Sequence, residues 1–342
     1  MTEFYNIFEK VNANSALSGV IRSCPEDFQV DEIQQFTPSG KGEHVWLHIK
    51  KIGENTDWVG DQLAKIADVP RRDVSYAGMK DRHAVTTQWF SVQMPGREAP
   101  DWKAQLPDSV ILLDEQRHDR KLKRGALKGN AFKITIRDFV GDEEELKAAV
   151  AQIISQGIPN YFGEQRFGHD NSNIRKARQW FKGEFKVKSR PKRSIYLSAA
   201  RSWIFNHILS MRIKDGTWNK AVQGDVFMLN GSKSCFDDAI DDEIIQRVKD
   251  QEIHPTGALW GRGPLISKDN IEIIENTVAS QFDVLCAGLE KQGLKQERKA
   301  LRLSVKDLSL TVVDKGVVCL SFSLPAGAYA TSVLSEIGHF KT

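Results

Sequence analysis

Asp81 is the residue of this chain best placed to do chemistry. It stands in the stretch Ser75-Tyr76-Ala77-Gly78-Met79-Lys80-Asp81-Arg82-His83-Ala84-Val85-Thr86-Thr87-Gln88, between two cations and just after a glycine. The residues beyond it alternate like those of a strand, with Ala84, Thr86, Gln88 and Phe90 on one face and Val85, Thr87, Trp89 and Ser91 on the other. The carboxylate therefore falls at a junction between strands. Neighbouring cations favour its ionised form, which suits a base or a nucleophile rather than an acid. A solvated charged turn has the same local pattern, so the rest of the chain has to decide between the two.

Little else has a catalytic pattern. There is no Gly-x-x-x-x-Gly-Lys-Ser/Thr phosphate loop, no Gly-x-Ser-x-Gly, no His-Glu-x-x-His and no Gly-x-Gly-x-x-Gly after a strand. Cys24, Cys235, Cys286 and Cys319 lie far apart, with no Cys-x-x-Cys pair and no histidine spacing suited to zinc, and read as reduced, mostly buried thiols. His83, His118 and His169 read as ordinary polar residues, and adjacent carboxylates such as Glu26-Asp27 as solvated rather than Mg²⁺-binding. An activity with no metal and no organic cofactor is expected.

The 342 residues are 40% hydrophobic and 27% charged, an ordinary composition for a soluble protein, with a net charge of +3. The charge is unevenly spread. From Arg117 to Lys133 the chain carries Arg117, Arg120, Lys121, Lys123, Arg124, Lys128 and Lys133 against Asp119 alone. A second basic run, Lys182 to Arg193, sets Lys186, Lys188, Arg190, Lys192 and Arg193 against Glu184, while acid collects at Asp142 to Glu145 and Asp237 to Glu243. Two basic runs with acid kept away from them point to a polyanion partner, foremost a nucleic acid. No apolar run approaches the roughly 18 residues of a membrane span. The start, Met1-Thr2-Glu3-Phe4-Tyr5, lacks the basic and apolar parts of a signal peptide, so a cytoplasmic protein is expected.

The elements that must hold Asp81 read as short strands with few helices. Gly19 to Ser23 leads to a strand with Phe28, Val30 and Glu32 on one face, and His44 to Lys50 alternates with Val45, Leu47 and Ile49 on one side. Asn55 or Thr56 can cap a helix whose stripe of Trp58, Val59, Leu63, Ile66 and Ala67 ends before Pro70. Further strands are expected at Arg72 to Gly78, Thr87 to Met94, Val110 to Asp114 and Ala131 to Arg137. Helices come next at Glu143 to Gln156, Asn173 to Lys182, Ser194 to Lys214, Glu243 to Asp250 and Ile271 to Lys291, with a strand at Gly224 to Leu229 and an ordered loop at His254 to Pro264. Strands return at Leu308 to Val313 and Val317 to Phe322 before a last helix near Ala330 to Gly338. The order implies an α+β domain with a mixed, mainly antiparallel sheet and flanking helices, formed by residues 1–158 and 306–342 and interrupted by an inserted domain of residues 159–305.

Six segments, Pro25 to Val30, Gly78 to Gln88, Lys123 to Phe132, Asn160 to Gly168, Leu197 to Arg201 and Leu324 to Val333, closely resemble the TruD family of tRNA pseudouridine synthases, in the family's order and over nearly the whole chain. The resemblance implies a pseudouridine-synthase catalytic domain interrupted by a TruD-specific α/β insertion, and a tRNA substrate modified at uridine 13 of the D arm; no protein partner is implied, and a monomer is expected. It also implies that Asp81 is the catalytic aspartate, that Arg22 is its charge partner, and that Phe28, Asn130, Phe132 and Tyr329 line the substrate pocket. Asp81 can then act as nucleophile at C1′ or C6, or as base at C2′. Aromatic stacking would offset the few kcal/mol needed to extract the base, and Asn130 can read a uracil edge with its donor and acceptor. Lys121, Lys123, Arg124 and Lys128, with Lys186 to Arg193, would hold phosphates, and Arg166 would contact RNA.

Two other readings fit part of this pattern. A non-catalytic RNA-binding protein with the same fold explains the basic runs but leaves Asp81 without a task. An aspartate-nucleophile hydrolase lacks an obvious general-acid partner.

Overall fold

A computed structural model describes residues 8–12 and 15–342; the reading of Met1 to Tyr5 lies outside the described residues. The chain separates into two compact units, Ser15–Val150 with Val305–Thr342, and Ala151–Ser304 with residues 8–12. The first division falls inside a helix, earlier than residue 159, and residues 8–12 go with the inserted unit. Phe8 accounts for that placement: its ring stacks on Tyr161 at 5.4 Å and meets the edge of Trp203 at 5.5 Å.

The first unit opens with β1 (Ser18–Ile21), β2 (Phe28–Gln34), β3 (His44–Ile52), α1 (Thr56–Ile66), β4 (Val74–Tyr76), β5 (Val85–Gln93), α2 (Trp102–Gln105), β6 (Val110–His118), β7 (Leu127–Val140) and α3 (Glu143–Gln156). The second holds β8 (Ile158–Pro159), α4 (Ser172–Phe181), α5 (Arg190–Lys214), β9 (Val226–Leu229), β10 (Cys235–Asp237), α6 (Asp242–Lys249), β11 (Ile253–Leu259), α7 (Asp269–Gln281), α8 (Asp283–Lys291), β12 (Glu297–Ala300) and β13 (Arg302–Leu303). The chain then returns to the first unit as β14 (Lys306–Asp314), β15 (Val317–Pro325), α9 (Ala330–Ile337) and β16 (His339–Lys341).

The first unit is one mixed sheet in the order β14-β15-β7-β2-β5-β3-β6, with β1, β16 and β4 joined to it. Among the described strands of this sheet only β2 with β5 and β1 with β16 run parallel, so it is mainly antiparallel, as expected. Register decides which side chains share a face. Phe28, Val30 and Glu32 of β2 lie opposite Ile134, Phe132 and Asn130 of β7, and these lie opposite Leu320, Phe322 and Leu324 of β15. On β2's other flank Val30 is level with Thr86 of β5, and Thr86 and Gln88 pair with Lys51 and Ile49 of β3. Helix α1 begins at the cap Asn55, whose Oδ1 accepts from Asp57 N at 2.8 Å, and buries Val59, Leu63 and Ala64 against Val45, Leu47, Ile49 and Phe90.

The second unit gathers α4, α5, α7 and α8 around an aromatic and aliphatic core that includes Phe167, Tyr196 and Trp203. A buried polar cluster lies in the same unit. Glu275, fully buried, accepts from Ala258 N at 3.0 Å, Ser267 Oγ at 2.6 Å and Arg298 Nη1 at 2.8 Å, and Arg298 Nε donates to Thr256 Oγ1 at 2.9 Å.

Several local expectations differ from the structure. His254 to Pro264 begins not as a loop but in the central strand β11, between β9 and β12. Gly257 serves close packing there: a Cβ would lie 3.0 Å from Leu301 Cδ2 and 3.2 Å from Phe205 Cε2. The helix expected over Ile271 to Lys291 is broken at Phe282, whose ring turns in against Trp203 and His207. The strand expected from Arg72 shrinks to Val74–Tyr76, because Arg71–Asp73 form a 3₁₀ turn. Asp27 is buried, not solvated, and takes a bidentate pair from Arg137 at 2.8 Å, which holds its carboxyl below the usual carboxylate range. The cysteines are unpaired; Cys286 and Cys319 are buried, Cys24 is half-buried and Cys235 is exposed. No helix among the described residues is long and apolar enough to cross a membrane.

Candidate active site

Asp81 sits in the connection between β4 and β5, at the junction expected from the alternation. Its carboxylate is 32% exposed, enough for a ligand to reach, and it is paired with Arg22, 59 residues earlier. The other carboxylate oxygen accepts from His83 N at 3.1 Å. Arg22 adopts a left-handed backbone (φ 61°), an uncommon conformation for a side chain of its size and of the kind that gathers at functional sites. Its guanidinium lies 4.1 Å from the centroid of Phe28, and Phe28 meets the edge of Phe132 at 6.4 Å. The buried Asp27, held by the exposed Arg137, fixes the 3₁₀ turn that delivers Phe28 to β2. Asp81, Arg22, Phe28 and Phe132 are thus one continuous set.

Neither cation beside Asp81 in sequence pairs with it. Lys80 turns to Glu32 at 2.9 Å, with both side chains buried, and Arg82 is exposed. The turn Gly78–Asp81 is instead held by groups that sequence reasoning missed. Gln88 Nε2 donates to Gly78 O at 3.1 Å, and Thr56 Oγ1 accepts from Lys80 N at 3.0 Å while donating to Gln88 Oε1 at 2.9 Å. Lys51, fully buried, donates to Asp81 O at 2.8 Å and to Glu54 O at 2.7 Å. Burial pushes the Lys51 ammonium down to about 8, against the pull of the Asp81 and Glu54 carboxylates. Met79 is held outward, more than half exposed.

Asn130 belongs to strand β7 rather than to a loop, level with Glu32 and Leu324. Its Oδ1 is buried and has no hydrogen-bond partner among the described residues, an unsatisfied acceptor. Gly129 beside it permits the close approach of β15, since a Cβ would lie 2.3 Å from Leu324 O. Phe28 and Phe132 are packed into the sheet, Phe132 stacking on Phe322 at 5.3 Å, so little of either ring is free to stack on a base. Tyr329, just before α9, is 53% exposed.

The first basic run is anchored by Leu122, buried among Trp46, Ala77 and Trp89. Lys121 Nζ donates to Arg72 O, and Arg124 donates to Tyr76 Oη at 3.1 Å with its guanidinium 5.0 Å from that ring. Lys123 and Lys128 are exposed. Arg166 belongs to the second unit, where it donates to Ser198 Oγ and lies 4.9 Å from the Phe162 ring. Helix α5 starts at Arg190, earlier than Ser194, because Ser189 Oγ accepts from Lys192 N. Its first turn is therefore basic, at the end where the helix dipole disfavours cations.

The family model of tRNA pseudouridine synthase D (TruD) matches residues 6–177 and 173–337. A tRNA pseudouridine synthase D of Methylococcus capsulatus is 50% identical over 94% of this chain and 91% of its own length. That of Hydrogenovibrio crunogenus is 46% identical over 95% and 94%. A solved structure from Methanosarcina mazei that carries the same family name superposes with a TM-score of 0.77 over 97% of this chain and 96% of that one, at 22% identity, a likeness of fold. With a carboxylate displayed at a strand junction, an arginine bound to it and a family match spanning both units, the chain belongs to the tRNA pseudouridine synthase D family.

Proposed function

We propose that this chain isomerises uridine to pseudouridine in tRNA, at position 13 of the D arm, with Asp81 as the one catalytic carboxylate and no cofactor, as a cytoplasmic monomer. The reaction breaks N1–C1′, joins C5 to C1′ and releases the C5 proton, with no net redox change. One ionised carboxylate suffices, as nucleophile at C1′ or C6 or as base at C2′. The observation that carries the reading is the Asp81–Arg22 pair, partly exposed and set over Phe28, which keeps a charged carboxylate accessible at the rim of a packed sheet. Asn130 Oδ1 adds an acceptor suited to the uracil N3–H. Exposed Tyr329 adds a stacking surface for a base drawn out of its helix.

The test is tritium release from tRNA containing [5-³H]uridine, with EDTA present and nothing else added. Release with tRNA as sole substrate is expected; tRNA binding without release would overturn the reading and favour an RNA-binding protein. The basic run supplies affinity rather than chemistry. Lys123→Ala combined with Arg124→Ala is expected to weaken tRNA binding about tenfold and to flatten the slope of log K against log salt by one to two, roughly 0.7 to 0.9 for each phosphate no longer neutralised. At saturating tRNA its turnover should match wild type; an unchanged salt slope would remove these residues from the RNA path.

A further inference from the structure

Lys51 is out of place for an ordinary core position. It occupies the register of Val45, Leu47 and Ile49 on β3, and a methionine of similar length would avoid the desolvation of an ammonium there. Among the described residues no carboxylate pairs with its Nζ; its two acceptors are backbone carbonyls, those of Glu54 and Asp81. A buried cation kept without a direct anionic partner lowers stability, which implies a task elsewhere.

We infer that Lys51 is a positioning residue for Asp81, fixing the Gly78–Asp81 turn through the Asp81 carbonyl while Thr56, Gln88 and the Glu32–Lys80 pair hold the turn's other points. The inference rests on the isomerase reading of Asp81. Four elements contribute: Lys51 from β3, Thr56 from α1, Glu32 from β2 and Gln88 from β5. Each acts on the backbone of the turn or on Lys80, so the Asp81 carboxylate is left to Arg22, His83 N and a ligand. Arg22 can therefore be displaced by substrate without Asp81 moving. A reacting group misplaced by about 1 Å can lose roughly 100-fold in rate, so such a clamp acts on turnover more than on binding.

The charges facing Lys51 are Asp81 and Lys80 from the turn and Glu54 from the β3–α1 connection, with Glu32 of β2 engaged by Lys80. With Lys51 losing its proton near pH 8, the positive charge behind Asp81 fades on the alkaline side. Turnover is then expected to fall from pH 7 to pH 9.

Steady-state tritium release decides the matter, run beside thermal melts followed by circular dichroism. Lys51→Met is expected to lower kcat roughly 10- to 100-fold with KM within about threefold. Its remaining activity should lack the wild-type fall between pH 7 and pH 9. Lys51→Arg, which keeps the charge throughout this range, should recover much of kcat at pH 7 and hold it at pH 9. A folded Lys51→Met with wild-type kcat, or with its whole defect in KM, overturns the inference. If Lys51→Met fails to fold, Thr56→Val serves in its place: roughly 3- to 10-fold loss in kcat at constant KM supports the clamp, and wild-type kcat overturns it. A wild type that releases no tritium brings down the isomerase reading and this role with it. An active wild type with an unimpaired Lys51→Met brings down this role alone.

Discussion

Asp81→Asn is expected to abolish tritium release, by at least about 10⁴-fold, while leaving tRNA binding within about twofold of wild type. The amide keeps the size of the carboxylate and can still accept from His83 N, so the turn should hold its shape. The charge disappears, and with it any ability to attack carbon or to take a proton. Stability should change by no more than about 1 kcal/mol, because the pair with Arg22 is partly exposed. Binding can tighten slightly, since one negative charge is removed from a surface that meets a polyanion. Gel-shift titration with single-turnover release on the same preparation separates the two effects. Retained release would dismiss Asp81 as the catalytic group; equal loss of binding and release would make it a binding residue.

The largest stability effect is expected in the second unit, at Glu275→Ala. Glu275 satisfies Arg298, Ser267 Oγ and Ala258 N together, with its own side chain and that of Arg298 nearly shut off from solvent. Truncation leaves a buried guanidinium and two further donors without their acceptor, a loss of roughly 3–5 kcal/mol. Replacing both partners, as in Glu275→Leu with Arg298→Leu, should recover a large part of it, because no charge then remains to be buried. Urea unfolding measures the difference, and hydrogen exchange assigns it to the second unit. A loss below about 1 kcal/mol in the single variant would mean that water reaches Arg298.

Much of the first unit is legible in the sequence because its strands alternate with a two-residue period and its first helix carries a cap, a stripe and a terminating proline. The same periodicity holds a second signal. Lys51 extends the inward face of Val45, Leu47 and Ile49; Glu32 extends that of Phe28 and Val30; Thr86 and Gln88 precede buried Phe90 on theirs. A polar residue on the inward register of a strand marks a buried network, and here Lys51, Gln88 and, through Lys80, Glu32 converge on one turn. Arg22 is reached only through the family resemblance, since local spacing favours Lys80 and Arg82. Where a charged side chain goes depends on which buried partner tertiary packing offers, and Lys80 finds Glu32. The second unit is less legible for another reason. A strand carrying Pro255 and Gly257 reads as a loop until the close contacts of Gly257 with Phe205 and Leu301 are seen.

The position of β15 has a consequence for how the protein is made. Strand β7, which carries Asn130 and Phe132, pairs on one flank with β2 and on the other with β15, yet roughly 180 residues of chain separate the end of β7 from the start of β15. At a ribosomal pace of about 5–20 residues per second, β7 waits roughly 10–35 seconds for its second neighbour. During that interval the apolar segment Phe132 to Ile136 borders an unpaired flank, the kind of open edge on which nascent chains associate. A transcript truncated before Val317 would therefore yield a chain in which that flank of β7 never gains its partner strand. Aggregation of such a product, more than loss of catalysis, would be how a cell first registers the damage.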